Sequence, residues 1–89
     1  MTIYEKAAAR ILVPGQWTQN ACARDVNGIG MSSSESSSVC WCALGSLIKE
    51  GAGGIRLSVE LVNFNNEPGR TAEEVALAIL LLGVAQDDL

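Results

Sequence analysis

Apolar residues recur at helical spacing near the start of the chain. Within residues 2–12, TIYEKAAARIL, they fall three and four positions apart, which predicts an amphipathic helix. Thr2 is a suitable N-cap for this helix, and Glu5, three positions later, completes a capping box. The Pro-Gly pair that follows ends the helix. Residues 16–25 hold fewer apolar side chains, and their spacing predicts a short helix or helical turn.

Serine and glycine interrupt the periodicity in residues 26–38, VNGIGMSSSESSS, which predicts a flexible loop. Ser38, the last of these serines, is a suitable N-cap for a central helix over residues 39–50. The glycines of GAGG, residues 51–54, end this helix. One face of the predicted helix carries Cys40, Ala43, Leu44 and Leu47, with Trp41 and Ile48 beside it.

Residues 55–62, IRLSVELV, fit two structures. Apolar and polar side chains alternate, as they do in a half-buried strand, but no other segment offers a strand partner of similar quality. A helix is the alternative, with Leu57, Leu61 and Val62 on one side. The apolar pattern alone leaves both interpretations open.

The polar segment NFNNEPGRT, residues 63–71, has the composition of a turn. Its last residue, Thr71, forms a second capping box with Glu74, so a final helix is predicted from there to about residues 82–84. The acidic tail, residues 85–89, follows this helix.

The final helix is apolar nearly all the way round. A helix on the surface of a small domain buries only one face, so either this helix is the central one or its second apolar face is a candidate interface between two copies of the chain. The residues of this second face are Leu77, Leu80, Leu81 and Val84.

With 89 residues, the chain is expected to form a single domain, residues 1–89. The predicted elements amount to a mostly α fold, a compact bundle of about four helices with one Ser/Gly-rich loop. The alternative is an α+β fold in which residues 55–62 form a strand.

Ten acidic and six basic residues give a net charge of −4, and the chain has no histidine. Nucleic-acid binding requires a surplus of Lys and Arg on one face, so direct contact with nucleic acid is not expected. The longest apolar run, residues 75–84, would span about 15 Å as a helix, half of a bilayer core. The N-terminal residues carry charges where a signal peptide is apolar, so we expect a cytoplasmic protein without membrane contact.

Cys40-Trp41-Cys42 is the motif most similar to a metal or redox site. On a helix, residues two positions apart point roughly 200° away from each other, so Cys40 and Cys42 would not share a metal ion or a disulfide. A zinc site also needs about four ligands, and the chain has one further cysteine, Cys22. We therefore expect packed core thiols, no metal and no cofactor. A bridge from Cys22 to Cys40 or Cys42 in an oxidised protein stays open.

The usual catalytic groups are missing from the sequence. General acid–base catalysis favours histidine or converging carboxylates, no G-x-S-x-G motif is present, and GAGG lacks the Lys and Ser/Thr of a P-loop. We therefore expect no enzymatic activity and no catalytic residues. Binding is expected instead from carboxylates and from the polar turn. The candidate residues are Asp25, Glu35, Glu60, Asn65, Asn66, Glu67, Arg70, Glu73 and Glu74, with Asp87 and Asp88 in the tail.

Three groups of residues, in this order and spacing, resemble a known family. They are Trp17-Thr18-Gln19 with Ala23-Arg24-Asp25, then Cys40-Trp41-Cys42-Ala43-Leu44-Gly45-Ser46-Leu47, then Phe64-Asn65-Asn66 with Pro68-Gly69-Arg70-Thr71. Over nearly its whole length the chain is similar to a small bacterial and bacteriophage domain of unknown function, number 6197.

The resemblance implies a mostly helical fold, which favours the helix for residues 55–62, and it implies no activity. The chain departs from the family in two places. The family's turn has Trp-Asn-Asp where this chain has Phe64-Asn65-Asn66, which removes a carboxylate, and the stretch before the turn is shorter.

Two functions are expected from these features. The first is a small acidic, non-enzymatic interaction protein, a phage or mobile-element inhibitor of a host defence complex, similar to anti-CRISPR proteins. Its carboxylates would occupy a basic, nucleic-acid-binding surface of a protein partner. The alternative is a dimeric bacterial accessory domain that binds a small ligand or peptide at residues 63–71.

Overall fold

The structure of the protein, a computed structural model, describes residues 2–52 and 58–87. Within these ranges the chain forms four helices and three short strands. The helices are α1 (Ile3–Leu12), α2 (Ala43–Lys49), α3 (Ser58–Asn66) and α4 (Ala72–Asp87), and the strands are β1 (Ala23–Arg24), β2 (Gly30–Met31) and β3 (Cys40–Trp41). The fold is therefore mixed α+β, and the expectation of a mostly helical bundle is confirmed only in part.

Both predicted capping boxes are present. At α1, the Glu5 N–H donates to Thr2 Oγ1 (3.1 Å) and the Thr2 N–H donates to Glu5 Oε1 (3.0 Å). Thr71 and Glu74 make the same two bonds at the start of α4. Because capping is a local interaction, these two helices begin where the sequence predicts. Helix α4 continues to Asp87, into the predicted tail, and residues 88–89 lie outside the described residues.

Helices α1 and α4 pack along each other and form the centre of the core. Gly83 lies against the Tyr4 ring, and a Cβ at Gly83 would come within 2.7 Å of Tyr4 Cγ. Only glycine allows the two helices to approach this closely. The buried residues of the core are Ala7, Ala8, Ile11, Ala43, Leu47, Leu61, Val75, Ala76 and Ile79.

The three strands form a small antiparallel sheet with the order β2-β1-β3. Ala23 of β1 pairs with β2 on one side and with Trp41 of β3 on the other. A parallel bridge also joins Trp17 to Trp41. In this bridge the Trp41 N–H donates to the Gln16 C=O (2.9 Å) and the Thr18 N–H donates to the Trp41 C=O (3.0 Å).

These backbone bonds overturn two predicted helices. Residues 16–25 are not helical, because they pair with β3 and contain β1. The central helix does not cover residues 39–50, because Cys40–Trp41 is a strand and α2 begins only at Ala43. Its N-cap is Cys42 rather than Ser38, since the Gly45 N–H donates to Cys42 Sγ (3.3 Å).

The other segments also differ in detail from the prediction. The predicted loop, residues 26–38, contains β2. Residues 58–62 are helical, which confirms the helix in that part of residues 55–62 and makes the strand wrong there, while residues 55–57 lie outside the described residues. The turn at residues 63–71 is shorter than predicted, because α3 extends to Asn66. None of the described helices combines the length and apolar character that crossing a membrane requires.

Candidate functional site

Asn65 in the last turn of α3 is completely buried (0% exposed) and joins three segments. Its Oδ1 accepts hydrogen bonds from Trp17 Nε1 (2.8 Å) and from the Ala43 N–H (2.9 Å). Its Nδ2 donates to the Thr18 C=O (3.1 Å) and to Asn66 Oδ1 (2.9 Å). Four hydrogen bonds satisfy the amide fully, so Asn65 fixes α3 to its neighbours and offers no atom to a ligand.

Asn66 and Gln19 extend this network toward the surface. Asn66 Oδ1 accepts a second hydrogen bond, from the Asn20 N–H (2.8 Å). Gln19 Nε2 donates to the C=O groups of Asn65 (2.9 Å) and Glu67 (3.0 Å). Asn65 and Asn66 of the predicted binding turn are therefore engaged in holding the segment before β1 against the end of α3.

Arg70 is held by its own neighbours. Its guanidinium lies over the Phe64 ring, 3.7 Å from the ring centre, and its Nε donates to the Phe64 C=O (3.1 Å). Its two terminal nitrogens form ion pairs with Glu67 and Glu74. Arg70 and Glu67 thus close the connection between α3 and α4, and the polar turn is a structural clamp.

The other predicted binding carboxylates lie on different segments of the chain. Asp25 Oδ1 accepts from two backbone N–H groups of the β1–β2 turn (2.9 and 3.0 Å). Glu35 is exposed in the serine-rich segment, Glu60 lies on α3, and Glu73 lies in the first turn of α4. These acids therefore belong to different elements of the fold.

Two carboxylates, Glu5 and Glu74, have pKa values below the ordinary value. The main cause in each is the hydrogen bond from the backbone N–H of the N-cap threonine, Thr2 or Thr71. Helix capping accounts for both shifts, so they do not indicate a catalytic acid or base.

The four residues predicted as an interface form an exposed stripe along α4, which we call the apolar stripe. It consists of Leu77, Leu80, Leu81 and Val84. Leu77 is 58% and Leu81 60% exposed, whereas Val75 and Ile79 on the opposite side of the helix are fully buried. A surface helix normally turns polar side chains outward, so this stripe is typical of a helix with a binding partner.

A groove of about 340 Å³ runs between α3 and α4 beside the apolar stripe, and Leu81 belongs to both. The groove is lined by Glu60, Leu61, Phe64, Ala78, Leu81, Leu82 and Ala85. We call the stripe and the groove together the α3–α4 face. The sequence does not reveal the groove. The spacing of Leu61 and Phe64 shows that they share one side of α3, but it does not show which element lies opposite that side.

Charge is divided unevenly along the chain. Residues 58–89 contain six acidic residues and one basic residue, a formal charge of −5, whereas residues 1–57 contain four acidic and five basic residues, a charge of +1. The basic residue of the second part is Arg70, which is already paired with Glu67 and Glu74. The α3–α4 face therefore belongs to the acidic part of the protein.

The cysteines lie differently from the prediction. Cys40 is part of β3 and Cys42 caps α2, so Cys40-Trp41-Cys42 is not one turn of a helix. All three cysteines are free thiols, and burial raises the pKa of Cys42. No group of three or more His, Cys, Asp or Glu residues that is suited to holding a metal ion occurs in the described part of the chain.

Comparisons with protein-family models, with curated proteins and with solved structures found no match to this chain. The resemblance to the domain of unknown function therefore stays a prediction from the motifs.

Proposed function

We propose that this protein is a non-enzymatic interaction module whose α3–α4 face binds a basic, amphipathic segment of a protein partner. One observation carries the proposal: the apolar stripe on α4 is exposed along the helix, and the part of the chain that bears it is acidic. Apolar side chains supply binding energy when they are covered, and the surrounding charge selects the partner.

The length of α4 suits a helical partner. Its 16 residues span about 24 Å, which matches four turns of a second helix. An amphipathic helix places apolar residues three and four positions apart, and these can cover the stripe and enter the groove beside it. Leu81 lies at the centre of this arrangement because it belongs to both.

Charge favours a basic partner over a second copy of the chain. Glu73 and Glu74 lie in the first turn of α4, and Glu60 lines the groove. A second copy would bring the same acids against this face, so self-association would have to overcome like-charge repulsion. Lys and Arg beside the apolar residues of a partner would instead be attracted.

We propose that the partner is a host defence complex in the cytoplasm. The α3–α4 face would cover a basic surface of this complex that normally binds nucleic acid. The carboxylates alone do not support this, since they lie on separate elements. The apolar stripe therefore supplies most of the binding energy in the proposal, and the acidic groups steer the approach.

Two synthetic helical peptides test the proposal. Each has about 18 residues, enough to lie along α4, and the same apolar positions, but one carries lysines and the other glutamates on its flanks. Fluorescence anisotropy should show binding of the lysine peptide alone, and this binding should weaken as salt rises. Leu77→Glu with Leu81→Glu should weaken it by at least about tenfold.

Val26→Glu with Ile29→Glu is the matched control, because both side chains are exposed in the β1–β2 turn (83% and 61%) and the pair adds the same two charges. This control variant should bind like the unchanged protein. Equal binding of both peptides, retained binding by the leucine double variant, or no binding at all would overturn the proposal. Sedimentation of the unchanged protein as a dimer that the leucine double variant abolishes would support the homodimer in its place.

A further inference from the structure

Cys22 and Cys42 face each other across the end of the β1–β3 pair. The register places Ala23 opposite Trp41 and Arg24 opposite Cys40, so the next pair outward is Cys22 and Cys42. The Cys42 N–H donates to the Cys22 C=O (3.1 Å), which confirms that the pairing continues to these residues. Residues directly opposite in an antiparallel pair project to the same side of the sheet, with their Cβ atoms about 4.5–5.5 Å apart.

The same two residues line one surface cavity of about 200 Å³. Its other lining residues are Asn20, Ala21, Val62 and Asn66. A disulfide needs a Cβ separation of about 3.5–4.5 Å, so the two strands must approach by about 1 Å or less. The cavity on this side leaves space in which the two sulfur atoms can meet.

Cys40 is placed less favourably for the same reaction. It lies opposite Arg24, and its Sγ donates to the Arg24 C=O (3.9 Å). From Cys22 it is a diagonal neighbour, at a distance of about 7–8 Å, which exceeds the range of a disulfide. The sheet register therefore selects Cys42, rather than Cys40, as the partner of Cys22. The sequence alone leaves both pairings open.

We propose that Cys22 and Cys42 form a disulfide by thiol–disulfide exchange with a low-molecular-weight disulfide of the glutathione type. Cys22 is the exposed thiol and Cys42 the buried one. The Cys22 thiolate attacks one sulfur of oxidised glutathione, so a mixed disulfide forms and one glutathione leaves as a thiolate, which takes up the proton lost by Cys22.

The second step closes the bridge. The Cys42 thiolate attacks the Cys22 sulfur, the bond to glutathione breaks, and the second glutathione leaves and takes up the proton of Cys42. The protein loses two electrons and two protons, and one oxidised glutathione becomes two reduced molecules. Because burial raises the pKa of Cys42, the second step is the slower one and accelerates with pH.

The test determines which cysteines are joined by disulfides after reaction with oxidised glutathione in native buffer. Remaining thiols are alkylated, the chain is digested, and the peptides are identified by mass spectrometry. The unchanged protein should give a peptide joined through Cys22 and Cys42, with Cys40 alkylated. Cys40→Ser should give the same bridge, and Cys22→Ser should stay unmodified at Cys42.

Cys42→Ser is the decisive variant, because serine is itself a good N-cap and α2 keeps its start. It should accumulate glutathione on Cys22, and circular dichroism checks that it is folded. The same reaction in concentrated urea should give Cys22–Cys40 and Cys22–Cys42 bridges in similar amounts.

Four results would overturn the proposal. They are no reaction, a stable glutathione adduct on Cys22 of the unchanged protein, a Cys22–Cys40 bridge in native buffer, and the same ratio of bridges in native buffer and in urea. The last would show that chain proximity, rather than the sheet register, selects the pair.

Discussion

Asn65 is the residue on which the position of α3 depends most. Its amide accepts from Trp17 and Ala43 and donates to Thr18, none of which is closer than 22 residues in sequence. A buried amide that loses its partners costs about 1–3 kcal/mol for each group left unpaired. The orientation of the amide, with its oxygen toward two donors and its nitrogen toward two acceptors, is therefore as important as its polarity.

Aspartate substitutions at Asn65 and Asn66 should have opposite outcomes. Asn65→Asp puts a carboxylate oxygen in place of Nδ2, against the Thr18 C=O, and should lower the free energy of unfolding by about 2–4 kcal/mol. Asn66 acts through Oδ1 alone, which accepts from Asn65 Nδ2 and from the Asn20 N–H. A carboxylate can accept both, so Asn66→Asp should change stability by less than about 0.5 kcal/mol.

Urea unfolding at pH 7, followed by tryptophan fluorescence, compares the two variants. Each adds the same charge at neighbouring positions, so the difference between them reports the loss of the Asn65 amide nitrogen together with the burial of the charge at that position. Equal stability of the two variants would mean that this nitrogen does not hold the segment before β1.

The polar residues of the candidate site were predictable as a group, but their partners were not. Residues 63–71 stand out because Asn, Glu and Arg gather there, and we expected a binding turn. Asn65 instead bonds to residues 46–48 positions earlier, such as Trp17 and Gln19, and no local pattern discloses such a distance. The sequence groups the four residues of the apolar stripe on one face of α4, because the helical period is local information, and the structure leaves that face exposed.

Among the helices and strands, those fixed by local interactions follow the sequence prediction. Helices α1 and α4 each begin at a threonine capping box, which needs only four consecutive residues. Residues 39–42 do not follow the prediction, since their apolar run suits a helix. They are extended because the N–H of Trp41 bonds to Gln16 and its C=O bonds to Thr18. In the first turn of a helix the Trp41 N–H would have had no partner within that helix.

Gly45 determines how closely α2 approaches the sheet. A Cβ at Gly45 would lie 1.9 Å from the Cys22 oxygen and 2.8 Å from its carbonyl carbon. In an open helix Gly→Ala is favourable by about 1 kcal/mol, but here it meets backbone atoms that pair with Cys42. Gly45→Ala should therefore lower the free energy of unfolding by more than about 3 kcal/mol or prevent folding.

Gly83→Ala provides the comparison within the same fold. Its Cβ would lie 2.7 Å from Tyr4 Cγ and 2.8 Å from Tyr4 Cβ, so α1 and α4 would have to move apart, but these contacts are longer than the 1.9 Å contact at Gly45 and involve no backbone atom. We expect a smaller loss, about 1–2 kcal/mol. Thermal unfolding followed by circular dichroism ranks the two variants, and a Gly45→Ala protein as stable as Gly83→Ala would mean that the contact between α2 and Cys22 is not close in solution.

On the scale of the whole molecule, charge links folding to the proposed binding. The acidic residues of 58–89 repel one another at neutral pH. This repulsion is largely uncompensated within the segment, because Arg70 is its one basic residue. Two acids at helix N-termini contribute stability through capping. Glu5 and Glu74 accept hydrogen bonds from the N-cap backbone of α1 and α4, the two helices that form the centre of the core.

The pH dependence of stability should reveal these two caps. The pKa values of Glu5 and Glu74 are lower in the folded protein than the ordinary value of 4.5, chiefly because of the N–H groups of Thr2 and Thr71. Each carboxylate therefore stabilises the fold at neutral pH. That contribution is lost as the pH falls through about 4.5 and below, where the unfolded chain binds protons more readily.

Glu5→Gln with Glu74→Gln keeps a side-chain oxygen that can accept the N-cap hydrogen bond but removes the charge. The melting temperature of this double variant should be lower than that of the unchanged protein at pH 7, and the difference should shrink as the pH falls below 4.5. Glu35→Gln removes one charge from an exposed side chain of the serine-rich segment, outside both capping boxes, and is the control for Glu5→Gln alone. If these two single variants respond to pH in the same way, net charge rather than capping governs the acid stability of the protein.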